Sequence, residues 1–334
     1  MTTRSVILSA FGGPEVLAFT DGPTPQPGPG QVLVQTEVSG VNFGDTMTRR
    51  GEYLRNQPLT LAPGSEAVGR VVMTGAGAEH LLGRRVAAWI EDGGGYATHV
   101  LAASHRVYDV PEDLPAPQVA AVFLQGITAM YALHLFGRVR RGDTVLVHAA
   151  AGGVGILSVQ LAVHAGARVI GTASSQAKRD AARDAGAEIT LDSRDVDGLK
   201  DAIRSATGGK GCDVVIDGVG GPVFGPSLAA MAVGGRYVVV GSASQSPGML
   251  DSRHLLVRNQ TVVGFIVAHV VDADPAEPQA ALTLMCDLVR SGDVRPVVTT
   301  LPLEDVVEAH RLMESRDLVG KLVLTTGFSG TVES

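Results

Sequence analysis

The chain has 334 residues, with 27 Lys plus Arg against 34 Asp plus Glu and a formal net charge of −7 at pH 7. That balance excludes a general polyphosphate binder, whose affinity needs clustered positive charge to displace counterions. At 45% hydrophobic and 18% charged residues the chain is too apolar for disorder, and its length predicts about two domains.

The first 120 residues predict short β-strands, SVILSAF, QVLVQTEVSGV, EAVGRVVM and RRVAAWI, separated by Gly and Pro turns such as PTPQPGPG. In the second of these, Val32, Val34, Thr36 and Val38 alternate with Leu33, Gln35, Glu37 and Ser39. The alternation predicts a half-buried strand in an antiparallel barrel or sandwich. Near Pro115 to Val119 the pattern changes, and apolar residues recur at helical spacing from 117 to 136. Beyond Arg140-Arg141-Gly142-Asp143, all-apolar strands at 144–148, 168–172, 188–191, 213–217, 236–240 and 261–265 alternate with helices at 153–165, 175–185, 197–207 and 222–232. Continuous Val/Ile strands between helices predict a parallel sheet covered on both faces, a doubly wound α/β domain. A helix at 278–291, the apolar VRPVVTTLPL, a helix at 303–315 and a final KLVLTT strand follow. That last strand is expected to return to the first domain. The fold predicted is α/β, with residues 1–120 and 267–334 forming a β-rich domain interrupted by an α/β insertion at 121–266.

Only two cysteines occur, Cys212 and Cys286, in separate apolar contexts. They supply neither a four-thiolate zinc site nor a disulfide framework, and a reducing cytoplasm is expected. The start, MTTRSVILSAFGG, is unlike a secretory signal. No uninterrupted apolar segment reaches about 18 residues, so no membrane is expected as partner, and the acidic charge balance argues against a nucleic acid.

The sequence AAAGGVG at 149–155 joins a buried strand to an apolar helix. Glycines at such a junction let the backbone approach a pyrophosphate, while open N–H groups and the helix dipole offset its charge. Gly152, Gly153, Val154 and Gly155 are therefore the candidate grip on a dinucleotide. A tight strand-to-helix turn is the competing reading, and the strand before, helix after and second strand beyond weigh against it. The second strand ends Gly171-Thr172-Ala173, followed by Ser174, Ser175, Lys178 and Arg179. An NAD site places an acid there for the ribose; small hydroxyls and a cation suit a 2′-phosphate instead, which favours NADPH. The competing reading makes Lys178 and Arg179 an ordinary solvated helix face.

Eight segments together resemble one family: GVNFGDTMTRRGEY (40–53), PGSEAVGRV (63–71), FLQGITAMYAL (123–133), VLVHAAAGGVG (145–155), VIGTASSQAK (169–178), GCDVVIDGVGG (211–221), RYVVVGSAS (236–244) and GKLVLT (320–325). The chain resembles the zinc-free quinone oxidoreductase branch of the medium-chain dehydrogenase/reductase superfamily, which holds ζ-crystallin-like quinone reductases and enoyl reductase domains of polyketide synthases. The likeness runs from Ile7 to about Thr326. It implies a GroES-like outer domain, a Rossmann inner domain and an active site in the cleft between them. Zinc-dependent relatives place a Cys at or beside Asn42 and a His-Glu pair where this chain has Gly64-Ser65-Glu66, so no metal is expected. Without a Lewis acid, a conjugated acceptor that delocalises charge is favoured over an ordinary carbonyl.

The resemblance also implies roles. Asn42 is expected beside the nicotinamide ribose, with Thr128, Gly241, Ser242, Phe265 and Val267 lining the nicotinamide pocket. Tyr53 matches a tyrosine at the cleft mouth, where it either donates a proton opposite the hydride or only packs. Asp45 and Arg49 match the family pattern and are read as a charged pair that braces the loop. Met47 stands where a second Tyr is common. Ser193 stands where a Tyr often stacks near the 2′-phosphate, with Arg194 as a substitute cation and Asp192 opposing it. His99, His148, His254 and His269 receive no catalytic role. The expected protein is an NADPH-dependent reductase of quinones or activated C=C bonds, in enones or enoyl thioesters. Its alternatives are a tailoring enoyl reductase of a biosynthetic pathway and a catalytically silent NADPH-binding scaffold. The apolar run TVVGFIVAHVV (261–271) predicts a homodimer through an edge strand.

Overall fold

A computed structural model describes residues 2–52, 62–90, 92–274 and 276–328. Its elements begin with β1 (Thr2–Leu8), β2 (Leu17–Pro23), β3 (Gln31–Val41), α1 (Phe43–Arg50), β4 (Glu66–Thr74), β5 (Arg85–Trp89), β6 (His99–Ala103), β7 (Val107–Asp109), α2 (Ala116–Val122) and α3 (Leu124–Met130). There follow β8 (Thr144–Val147), α4 (Gly153–His164), β9 (Arg168–Ala173), α5 (Gln176–Asp184), β10 (Ile189–Asp192), α6 (Val196–Ala206), β11 (Cys212–Asp217) and α7 (Phe224–Ala230). The remainder are β12 (Met231–Val239), α8 (Ser252–Arg258), β13 (Thr261–Gly264), α9 (Val267–Ala273), α10 (Glu277–Ser291), β14 (Val298–Pro302), α11 (Val306–Ser315) and β15 (Lys321–Thr325). Two compact units divide the chain: Met1–Leu124 with Pro275–Cys286 and Val297–Ser334, and Gln125–Asp274 with Asp287–Pro296. The first division falls after Leu124, where the sequence reading put it after 120, and α9 lies in the second unit, where that reading put it in the first.

In the first unit the sheet runs β14-β15-β3-β4-β5-β7, with β6 also paired to β3, and β1 pairs with β2 in a separate ribbon. The last strand joins the first domain's sheet, with Leu322 opposite Val41 in an antiparallel register. β3 was expected to have one wet face. Instead most of both faces is buried, because β15, β4 and β6 all pair along it. Its acid, Glu37, is taken inside by Arg85, whose Nε and Nη2 reach the two carboxylate oxygens at 2.9 Å each. Val32, Val34, Val71, Val86 and Val100 form one apolar core, and Val6, Leu8, Tyr96, Val306, Leu322 and Leu324 another. β2, β6 and β7 went unpredicted: β2 is mostly exposed and β7 has three residues, so neither leaves a clear apolar alternation.

In the second unit six parallel strands lie in the order β10-β9-β8-β11-β12-β13. By appearance in the unit this is 3-2-1-4-5-6, and the order reverses between β8 and β11, where doubly wound sheets open a crevice at their carboxyl ends. Val145, Leu146, Val147, Val214 and Val215 are fully buried, as strands covered on both faces require. The expected α/β fold is the one observed. The 261–271 run, however, is not one strand: β13 stops at Gly264 and α9 begins at Val267, turning Ala268 and Val271 inward. A short apolar run is compatible with either period, and here both are used in succession.

The helical stretch Ala116–Phe136 is long and apolar enough to cross a membrane by length and composition alone, but 72% of its most apolar window is buried inside the protein. Most of its apolar side chains, Val119, Phe123, Ile127 and Leu133 among them, are core, while Leu135 is exposed.

Candidate active site

The glycine-rich junction has the geometry of an anion site. The chain leaves β8 through His148 and Ala149, which takes a positive φ of 48°, and Gly152 N–H closes a turn onto Ala149 O at 2.8 Å. Gly152 is the N-cap of α4 and no side chain caps this helix. The first N–H groups of a helix have no intrahelical acceptor, so Gly153, Val154 and Gly155 present an open, positively polarised end. Glycine is required at 155 because a Cβ there would lie 2.2 Å from Ala149 O. At 171 a Cβ would meet that of Ala150 at 2.9 Å, so the strand passes directly against the loop. At 153 a Cβ would strike only the Gln125 carboxamide, which lies over the start of α4.

At the end of β9 the expected residues separate by direction. Thr172 is buried and its hydroxyl turns inward to His148 Nδ1 at 2.9 Å, so it presents only backbone to the crevice. Ser174 and Ser175 are half-buried, and Ser175 Oγ caps α5 by accepting the Lys178 N–H at 3.3 Å. The Lys178 side chain rises from that first turn. Arg179 is committed elsewhere, to Asp192 at 3.1 Å and to Ala173 O. Asp192 also holds Arg194 at 2.7 Å, and these cations keep its carboxyl well below the ordinary range. Arg194 therefore pairs with Asp192, and Ser193 is tied by its N–H to Ala173 O at 3.1 Å.

The nicotinamide candidates lie mostly on the far half of the same sheet edge. Gly241 and Ser242 are exposed just beyond β12, and a Cβ on Gly241 would come within 3.1 Å of Gly218 O. Phe265 follows β13 and stacks on Phe136 with centroids 4.5 Å apart, while Val267 opens α9 and Thr128 sits half-buried on α3. The loops after β8, β9, β10, β11, β12 and β13 thus all open at the carboxyl ends of one parallel sheet.

Asn42 belongs to the first unit, as N-cap of α1. Its N–H donates to Asp45 Oδ2 at 2.8 Å, the same oxygen that accepts the Tyr96 hydroxyl at 2.8 Å. Its carboxamide is fixed at both ends: Nδ2 donates to Glu66 Oε1 at 2.9 Å, and Oδ1 accepts from Lys321 Nζ at 2.8 Å. Lys321 also bonds directly to Glu66, and each is 1% exposed. Ser65 Oγ donates to Asp45 Oδ1 at 3.3 Å. Burial raises the Asp45 carboxyl to about 6, and burial with Asp45 beside it lifts the Tyr96 phenol well above its usual value. Asp45 and Arg49 do not pair with one another as expected; Arg49 is buried against Glu314 on α11. Tyr53 lies outside the described residues.

Lys321, Glu66 and Tyr96 were not singled out from the sequence. The available signal was a Lys and a Glu at the heads of largely apolar strands, KLVLT and EAVGRVV. Among the described residues no three His, Cys, Asp or Glu side chains gather to hold a metal ion.

A β-rich unit paired with a 3-2-1-4-5-6 sheet and an uncapped glycine loop defines a dinucleotide-dependent dehydrogenase or reductase of the medium-chain class. Residues 28–112 match the alcohol dehydrogenase GroES-like domain, and 153–286 match the zinc-binding dehydrogenase domain. The human quinone oxidoreductase is 33% identical over 325 residues, covering 96% of this chain and 97% of its own. A 2-haloacrylate reductase from a Burkholderia species is 32% identical over 331 residues, covering 96% and 98%. The Escherichia coli quinone oxidoreductase, solved in complex with NADPH, superposes with a TM-score of 0.90 at 29% identity, covering 96% of this chain and 99% of that one. The chain belongs to the zinc-free quinone oxidoreductase family, the ζ-crystallin branch of the medium-chain dehydrogenases/reductases.

Proposed function

We propose that this chain is an NADPH-dependent reductase, acting without zinc, that reduces quinones or carbon–carbon double bonds activated by conjugation. The observation that carries this reading is the uncapped helix end at Gly152–Gly155, set at the switch point of the sheet beside a second strand that ends without an acid. Gly152, Gly153, Val154 and Gly155 receive the pyrophosphate, with Gly171 and the Thr172 backbone lying alongside. Ser174, Ser175, Lys178 and Ser193 surround the 2′-phosphate. Gly241, Ser242, Phe265, Val267 and Thr128 shape the nicotinamide site, and Asn42 orients the ribose next to it. Bound NADPH supplies the hydride. The protein contributes orientation, exclusion of water and a proton, for which Tyr53 is the candidate donor.

The NADPH-bound Escherichia coli neighbour and the human relative support a quinone as acceptor. The 2-haloacrylate reductase supports an activated alkene, and so does Met47, which makes its position apolar where a tyrosine would offer a hydroxyl. An enoyl reductase serving a biosynthetic pathway is the form the second reading takes. Steady-state oxidation of NADPH with 1,4-quinones, α,β-unsaturated ketones and enoyl thioesters separates the two. Tight NADPH binding without oxidation by any of these acceptors would instead mark a silent scaffold.

A homodimer completes the proposal. β13 is the outer strand of the six, with no strand paired on its far side among the described residues, and Met249, Leu256 and Val257, in the segment leading into it, are 81%, 79% and 80% exposed. Two such edges pair across a two-fold axis into one continuous sheet. Light scattering is expected to give twice the chain mass, and Val262→Pro, which removes a donor on the side of β13 facing away from β12, is expected to halve it. A monomeric parent protein would overturn the pairing. Two buried free thiols suit a reducing cytoplasm as its location.

A further inference from the structure

The second unit contains a line of buried polar side chains to which the reading above gives no part. Thr172 Oγ1 lies 2.9 Å from His148 Nδ1, and His148 Nε2 lies 2.8 Å from Ser227 Oγ. Beside Ser227, the Tyr237 hydroxyl donates to Asp217 Oδ2 at 2.7 Å. Thr172 and His148 are 1% and 2% exposed, and the other three are fully buried. Five separate parts of the fold, β9, the residue after β8, α7, β12 and β11, each contribute one member.

His148 spans the Thr172 and Ser227 hydroxyls through its two ring nitrogens, and Tyr237 holds one oxygen of the Asp217 carboxylate. The other Asp217 oxygen accepts the N–H groups of Val219 at 2.7 Å and Gly220 at 3.0 Å. That turn carries the next loop, because Gly218 O and Val219 O accept from Ala243 N and Ser244 N at 3.0 and 2.9 Å.

We propose that Tyr237 and Asp217, packed beside the Thr172–His148–Ser227 group, form a positioning pair that fixes the 218–220 turn, and through it the 241–244 loop, for the nicotinamide end of the cofactor. The proposal rests on the reading of that loop as the nicotinamide site. Neither is a catalytic residue; Tyr237 acts through the backbone that Asp217 holds. A buried carboxylate bonded on both oxygens specifies one geometry, and loss of the Tyr237 bond frees it.

One comparison on the full chain tests it. Tyr237→Phe is expected to lower kcat about tenfold, as loss of one hydrogen bond to a charged group would, while NADPH affinity, held by the α4 end, changes less than about threefold. If Tyr237→Phe fails to fold, Asp217→Asn carries the same comparison. A kcat unchanged in the variant would overturn the pair's role. Failure of the parent protein to bind NADPH would remove the cofactor reading and the pair's purpose with it, whereas unchanged kcat with intact NADPH binding would remove the positioning role alone.

Discussion

The Lys321 ammonium and the Glu66 carboxylate meet inside the first unit, with Asn42 bonded to both. Removing one member of a fully buried ion pair leaves the other charge without compensation, which costs about 3–5 kcal/mol. Lys321→Met is accordingly expected to lower unfolding stability by about that amount. Urea titration of the variant against the parent reads the loss, and a change near zero would mean that the pair is not closed in solution.

Asp45 gives a pH signature of unusual sign. Its carboxyl rises from 3.8 to about 6 on folding, chiefly by burial. Between those values the folded protein holds a proton that the unfolded chain has released, so this group's contribution to stability falls as pH rises through the window and is flat above it. The full effect is about 3 kcal/mol. Asp45→Asn removes the titration. The stability difference between parent and variant should therefore drift across this window; a constant difference would contradict the assignment.

Two glycines of one loop separate strain from tolerance. A methyl at Gly155 meets the Ala149 carbonyl, whereas one at Gly153 meets only the Gln125 side chain. Gly155→Ala is expected to weaken NADPH binding by about tenfold or more and to cost about 1–3 kcal/mol of stability. Gly153→Ala should do less of both, since a side chain moves more readily than backbone. Fluorescence titration of the two variants reads the order, and the reverse order would count against the loop geometry.

Cofactor choice is assigned to the first turn of α5. Lys178→Ala should lower kcat/KM for NADPH about tenfold or more, the worth of one charge-assisted hydrogen bond, and leave NADH within about twofold. Equal losses with both cofactors would place Lys178 outside the 2′-phosphate site.

Local signals in the sequence carried much of this architecture. The loop at 149–155 is contiguous, and its glycines, flanking strand and following helix lie within a few turns of each other. The Asn42 pocket was only partly legible, because Lys321 and Glu66 are 255 positions apart and neither residue alone announces a partner. Thr172 looked like a cofactor contact because Ser174 and Ser175 follow it, yet its hydroxyl is taken up inside by His148. The two-sided burial of β3 was hidden by its polar residues Gln35, Glu37 and Ser39, which suggested a wet face; a distant arginine and three neighbouring strands cover it instead. The 261–271 run misled through its uniform apolarity, which has no period to read.

The most direct trial is a single spectrophotometric assay. Purified protein, treated with a strong chelator until metal-free, is mixed with NADPH and a 1,4-quinone, and nicotinamide absorbance is followed. Rapid oxidation, undiminished by the chelator and much slower with NADH, is the expected result. Oxidation that vanishes on removing metal and returns with zinc, or the absence of any oxidation with the quinone and with an activated alkene alike, would contradict it.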